Sequence, residues 1–323
     1  MNELQNHERM KYFEMPNRDK PSSLHNCRSA EEFPAHFEAT TGKPVQNVID
    51  QIVESTAPKA VFLTGSLPLG MATKGSDVDF IVLVDSKAAL LSHGEGRIAN
   101  TEQRMVFSNE SDPLRAGLSI SVMRGMTVEV STVVTSSIAS IYRRLRSRGP
   151  ELSEIEIMTL GRLSTGWLLS QTDGYLERSG VALTDPALAV YCSTRSYTFS
   201  LIYRHKALAA IGLEDIPQAL HLGRLSVEMA YLAYFASEGM TYLGPKWLAQ
   251  IGHAVGASER LRRHPILMDG VQLLFPNLVP GPKEVGRYLE TVSGFITSLR
   301  MVIERKTLFR IAFKACPQIY SVV

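Results

Sequence analysis

Cysteine is scarce in this chain, with three in 323 residues. Cys27, Cys192 and Cys316 are odd in number and far apart, so neither a disulfide framework nor a paired-cysteine metal site can be built from them. A reducing, cytoplasmic setting is expected. Long apolar runs are also missing. None approaches the roughly 18 residues needed to span a bilayer, so no membrane association is expected. The opening segment, MNELQNHERMKYFEM, lacks the apolar core of a secretory signal. A large excess of one charge is absent too. A net charge of +2 argues against a surface that coats nucleic acid broadly, while leaving room for a local basic patch. There is no internal repeat and no low-complexity tract. What is present, 45% hydrophobic and 20% charged residues, is the composition of a folded chain with room for one large domain or two ordinary ones.

One stretch organises the rest: VFLTGSLPLGMATKGSDVDFIVLV, from Val61 to Val84. It reads as a strand (Val61–Thr64), a Gly65-Ser66 turn, a looped spacer and a second strand (Val78–Val84). Asp77 leads into the second strand, and Asp79 lies two residues on. Alternate residues of a strand share a face, so two carboxylates stand together at the head of an apolar strand. Like charges so placed repel, and a divalent cation offsets that at least cost.

Gly65-Ser66, a ten-residue spacer and Asp77-Val78-Asp79-Phe80 together resemble the signature of the DNA polymerase β-like nucleotidyltransferase superfamily. The resemblance implies an enzyme that moves a nucleoside monophosphate, taken here as AMP, from an NTP to an acceptor with release of pyrophosphate. It implies two Mg²⁺ ions bridged by Asp77 and Asp79. Gly65 would let the backbone approach a phosphate, and Ser66 would add donors to the triphosphate of ATP. The segment Thr127–Val134, TVEVSTVV, is rich in β-branched residues and reads as a further strand, with Glu129 inside it. A glutamate there faces either water, on an edge strand, or a cation. The superfamily carries a third carboxylate on a neighbouring strand, and the resemblance gives that role to Glu129 as metal ligand, general base or both.

The expected fold class is α+β: an N-terminal mixed-sheet nucleotidyltransferase domain followed by a C-terminal helical bundle. Residues 1–40 are polar, with prolines at 16, 21 and 34, and read as an arm or short late-packing helices. Residues 41–148 form the expected α/β domain and residues 149–323 the expected bundle. An apolar stripe in 44–57 predicts a helix before the first strand. Gln103–Ser108 and Leu118–Met123 read as strands, and Ser86–Leu91 as a short helix. Ser153 and Glu156 form a capping box that opens a helix through about Leu169. Asp185-Pro186 opens another through Ile211, and apolar spacing predicts helices over 215–235 and from Pro282 onward.

Lys246, in Gly244-Pro245-Lys246-Trp247, falls in the first turn of a predicted helix. A cation there opposes the helix dipole unless an anion docks, so Lys246 is a candidate for binding the triphosphate. The motif looks like one in the helical domains of antibiotic nucleotidyltransferases, which implies a small-molecule acceptor bearing a hydroxyl or carboxyl group. RNA, such as a tRNA, or a protein are the alternative acceptors. A third reading is a nucleotide-binding domain without catalysis. Weaker candidates are Glu228 as a buried base, Arg204-His205-Lys206 and Arg224 as cleft cations, and arginine clusters at 143–148 and 260–263 as contacts for an RNA backbone. The oligomeric state is not legible.

Overall fold

The computed structural model describes residues 27, 29–56, 58–70, 72, 76–85, 103–107, 114–123, 126–146, 152–179, 183, 185–241, 266–274, 281–306 and 308–309. Helices α1 (Phe33–Thr41) and α2 (Val45–Thr56) precede strands β1 (Ala60–Thr64) and β2 (Val78–Val84). Strands β3 (Gln103–Phe107), β4 (Arg115–Met123) and β5 (Met126–Val134) follow, then α3 (Thr135–Arg146), α4 (Glu154–Thr165) and β6 (Trp167–Gln171). The described remainder is helical: α5 (Tyr175–Ser179), α6 (Pro186–Gly212), α7 (Ile216–Ser237), α8 (Ile266–Leu274) and α9 (Pro282–Glu304). The expected α+β class with a mixed sheet holds.

The strands form one sheet in the order β3-β4-β5-β2-β1-β6. Among the described strands only β2 and β5 run parallel; the other neighbouring pairs are antiparallel. The central strands β1 and β2 read as near-continuous Val, Leu, Ile and Phe because both faces of the sheet are covered. On one face Val78, Phe80, Val82, Val128 and Leu63 meet Phe33 and Phe37 of α1 and Val48 and Ile49 of α2. On the other face Phe62, Ile81, Leu83 and Val133 meet Ile138 of α3, Leu160 and Leu163 of α4, and Leu188 and Cys192 of α6. Side chains alternate along β2, so Asp79 belongs to the face of Ile81 and Leu83 and marks where that face stops being apolar.

Residues 33–41, at the end of the stretch read as an arm or short late-packing helices, form the short helix α1, and Phe33 and Phe37 are fully buried against the sheet. One expectation about organisation needs correcting. The helix opened by Ser153 stops at Thr165 instead of running to Leu169, and Trp167–Gln171 becomes the edge strand β6 beside β1. Gly166 has an extended backbone there, and Leu63 with Phe62 offers the free sheet edge that the short apolar run joins. Both α1 and β6 therefore belong to the sheet layer, although they lie across or beyond the boundaries expected at 40 and 148.

Helices α6 and α7 form an antiparallel hairpin. Ser193 donates to the Ala233 carbonyl at 2.8 Å, while Ser200 donates to the Ser226 carbonyl at 2.9 Å and accepts no less close a return through its own carbonyl at 2.7 Å. Asp185 and Asp215 cap the two helices through their side chains. Tyr231, Phe235, Phe295 and Ile296 build a second core where α9 crosses α7. No helix among the described residues is long and apolar enough to cross a membrane.

The capping box of α4 is formed as the spacing predicts: Ser153 Oγ accepts from the Glu156 amide at 3.2 Å, and Glu156 Oε2 accepts from the Ser153 amide at 2.8 Å. Ser153→Ala is expected to cost about 1 kcal/mol of stability in urea unfolding. An unchanged midpoint would show that the cap contributes nothing.

Candidate active site

The parallel pairing of β2 with β5 sets Asp79 directly opposite Glu129. The two carboxylates thus lie on one face of the sheet, on neighbouring strands whose backbones run about 4.8 Å apart. Asp77 stands two residues before Asp79, outside the strand, and is exposed. Thr64 is the β1 partner of Asp79, and its hydroxyl donates to the Asp79 backbone carbonyl at 3.3 Å. Ser131, two residues beyond Glu129 on the same face, donates to Glu129 Oε1 at 3.5 Å.

Between the two acids sits a cation that the motif does not contain. Arg162 of α4 places its Nη1 3.2 Å from Glu129 Oε1 and 3.7 Å from Asp79 Oδ1. The three side chains are only 12%, 14% and 25% exposed for Arg162, Asp79 and Glu129, so water screens them poorly. One guanidinium thus pairs with both carboxylates. Sequence reasoning missed Arg162, although its signal was present: a lone arginine between Leu160 and Leu163, both buried.

Gly65 has a second reason to be glycine besides the expected close approach of a phosphate. Its φ is +79°, and a Cβ built on it would lie 2.0 Å from Asp79 Oδ2. The space that a side chain would fill is taken by the Asp79 carboxylate. Ser66 follows in the same turn and is buried. Lys246 lies outside the described residues, as do Ser86–Leu91, Arg148 and the arginines at 260, 262 and 263.

Do these residues fit the divalent metal that the motif implies? Their donors are all carboxylate or hydroxyl oxygens, which suits a hard cation. Asp79 and Glu129 already converge on one positively charged point. The expected three-carboxylate cluster is not gathered, however: among the described residues no three acidic, histidine or cysteine side chains are close enough to hold an ion. The Arg162 guanidinium lies beside two of them, and Asp77 is exposed outside the strand. The pair fits a cation, and Asp77, two residues before Asp79, would be the third oxygen donor.

The weaker candidates serve other purposes. Glu228 is buried on α7 and is held by Arg224 one turn earlier at 3.2 Å. Arg144 pairs with Glu156, and Arg146 pairs with Asp185 at 2.9 Å, tying α3 to the starts of α4 and α6.

Residues 45–115 match the family model described as nucleotidyltransferase domain, a span that holds Gly65, Asp77 and Asp79 but neither Glu129 nor Arg162. Among solved structures, a nucleotidyltransferase-like protein from Exiguobacterium sibiricum is similar at 12% identity and a TM-score of 0.41, over 80% of this chain and 77% of its own. An aminoglycoside 6-adenyltransferase from Bacillus subtilis is similar at 9% identity and a TM-score of 0.28, over 86% of this chain and 97% of its own. At such scores the domain match carries the assignment, not these neighbours. No curated protein matches the sequence.

Gly65→Ala is expected to displace the Asp79 carboxylate and lower turnover by roughly 10²–10³-fold, the scale seen when one preorganised electrostatic group is lost. Its stability cost is expected to be about 1–2 kcal/mol, from the left-handed backbone. Pyrophosphate release measured beside a thermal melt checks both; full activity would mean that Asp79 is not needed where it stands.

Proposed function

Because residues 45–115 match a nucleotidyltransferase domain and the Gly65-Ser66 and Asp77/Asp79 motif resembles that of the DNA polymerase β-like superfamily, we propose that the chain transfers AMP from ATP to a hydroxyl or carboxyl group of a small molecule. The observation that carries this reading is the register of Asp79 against Glu129 beside the Gly65 turn. In the reaction the acceptor oxygen bonds to the α-phosphorus, and the bond from that phosphorus to the β-bridging oxygen breaks. Pyrophosphate leaves with the electron pair. A hydroxyl acceptor loses its proton to Glu129, whose carboxylate faces the same side of the sheet as Asp79; a carboxylate acceptor has none to lose.

Asp77, Asp79 and Glu129 would hold divalent cations. Bound there, such ions neutralise the triphosphate and lower the pKa of an attacking hydroxyl. The protein's own contribution is placement. Gly65 and Ser66 would present backbone amides and a hydroxyl to the β- and γ-phosphates. Arg162 positions Asp79 and Glu129, keeping two half-buried anions side by side. Lys246 would neutralise the phosphate tail. The sheet layer would hold the nucleotide, and the helices from Pro186 onward would supply the acceptor side.

A small acceptor is favoured over RNA by the state of the basic residues. The net charge is +2, and Arg144 and Arg146, which could have gripped phosphates, are spent on Glu156 and Asp185. Incubation with α-labelled ATP and fractionated cell extract tests the reading. Label is expected in the small-molecule fraction; label confined to RNA or protein would contradict it.

Asp79→Asn is expected to reduce pyrophosphate release at least about 10³-fold with the melting temperature within a few degrees of the parent. Turnover retained in that variant would remove the carboxylates from the chemistry. Chelation by EDTA is expected to stop the parent enzyme, and excess Mg²⁺ to restore it.

A further inference from the structure

A cavity of about 440 Å³ lies between α4, α6 and α7, within the size range of small-molecule sites. Its walls include Ile155 and Met158 of α4, Phe199 and Tyr203 of α6, and Met229 and Leu232 of α7. Helix α4 forms part of its wall and also carries Arg162. Ile155, Met158 and Arg162 fall at i, i+3 and i+7, one stripe of a helix, so Met158 is a single turn, about 6 Å, from the arginine that touches Asp79 and Glu129. A second link lies at the end of that helix. Ser164 Oγ is 3.4 Å from the hydroxyl of Thr241, and Thr241 lines the cavity.

The chemistry of the walls narrows what can enter. Phe199 and Tyr203 are stacked, with centroids 6.2 Å apart and ring planes at 28°. Met158, Met229 and Met240 add flexible, polarisable surface that moulds to ring systems. Glu154 is the one carboxylate among the described lining residues, and it is already engaged: Arg195 approaches it to 2.6 Å while lying 5.4 Å from the centre of the Phe199 ring. A polyamine or other multiply positive molecule would find no uncommitted anion there. Cys192 also lines the cavity, but burial pushes its thiol up to about 12, so it is a neutral wall and not a nucleophile.

We infer that this cavity seats the acceptor, and that the acceptor is a neutral or singly charged molecule with an apolar, ring-bearing body. The inference rests on the nucleotidyl-transfer reading for the word acceptor; the binding preference itself does not. The body lies along α4 against Phe199 and the methionines. Its hydroxyl or carboxyl points past Arg162 toward the carboxylates, and Arg195 and Glu154 at the mouth select at most one charged group.

The test uses the full chain and the fluorescent probe 8-anilinonaphthalene-1-sulfonate, which has aromatic rings and one negative charge. Saturable binding to the parent is expected, weakened roughly tenfold by Phe199→Ala, which removes an aromatic wall at a half-exposed position. Met229→Glu, which sets a carboxylate inside, is expected to weaken it further, with folding of both variants checked by circular dichroism. Spermine at millimolar concentration is expected not to displace the probe. Binding indifferent to both substitutions, or displacement by spermine, would overturn the inference. Asp79→Asn run in parallel separates the two readings. Probe binding kept while pyrophosphate release is lost supports both; release kept in that variant sinks the nucleotidyl-transfer reading and leaves the cavity's preference to stand on the probe.

Discussion

The arrangement depends on a positive charge wedged between two negative ones. Asp79 and Glu129 are direct neighbours across parallel strands, with most of their surface out of water, and in isolation they would repel each other. The Arg162 guanidinium, itself mostly buried, lies within ion-pair distance of both. Removing Arg162 would leave two carboxylates side by side without their cation, which is far costlier than losing a surface pair. The wedge also couples two layers of the molecule, because the acids belong to the sheet and the arginine to the helix lying over it. Docking of α4 and placement of the carboxylates are one event.

The rest of the fold can be followed outward from that point. Glu129 comes opposite Asp79 only because β2 and β5 run parallel in that register; a one-residue slip would turn the glutamate to the face covered by α1 and α2. Burial of the alternating residues on both faces makes such a slip expensive, since Val128, Val130 and Val133 would change sides with it. Gly65 performs the matching service from β1, leaving open the volume that the Asp79 carboxylate occupies. Farther along α4, the stripe that carries Arg162 becomes the wall of an apolar cavity, so one helix meets both the charged site and the place proposed for the acceptor.

Much of this was legible in the sequence, and for definable reasons. The Gly-Ser turn and the Asp77/Asp79 pair are local, and their spacing survives without knowledge of any partner. Helix starts at Ser153 and Asp185 were readable because capping is chemistry within a few residues. Glu129 was suspected from a carboxylate inside a β-branched run, but its position opposite Asp79 is a matter of sheet order, which no single segment states. Arg162 is 83 positions from Asp79 in the chain, and nothing in its neighbourhood names its partners. In the sequence, strand β6 reads as the tail of a helix because five residues, WLLSQ, are too few to separate the two periods; the edge of β1 decides it. Phe33 and Phe37 were hidden in a polar, proline-bearing stretch, where two aromatics four apart carry little weight until a sheet face is there to cover.

The most direct test of the central claim is where a divalent cation binds. Crystals grown with Mn²⁺ and a non-hydrolysable ATP analogue, measured by anomalous diffraction, would locate it without reference to turnover. The account predicts an anomalous peak coordinated by Asp77 and Asp79, on the side of the sheet that Glu129 faces and with the triphosphate against the Gly65-Ser66 turn. A peak held by other residues, or nucleotide bound with those carboxylates untouched, would contradict it.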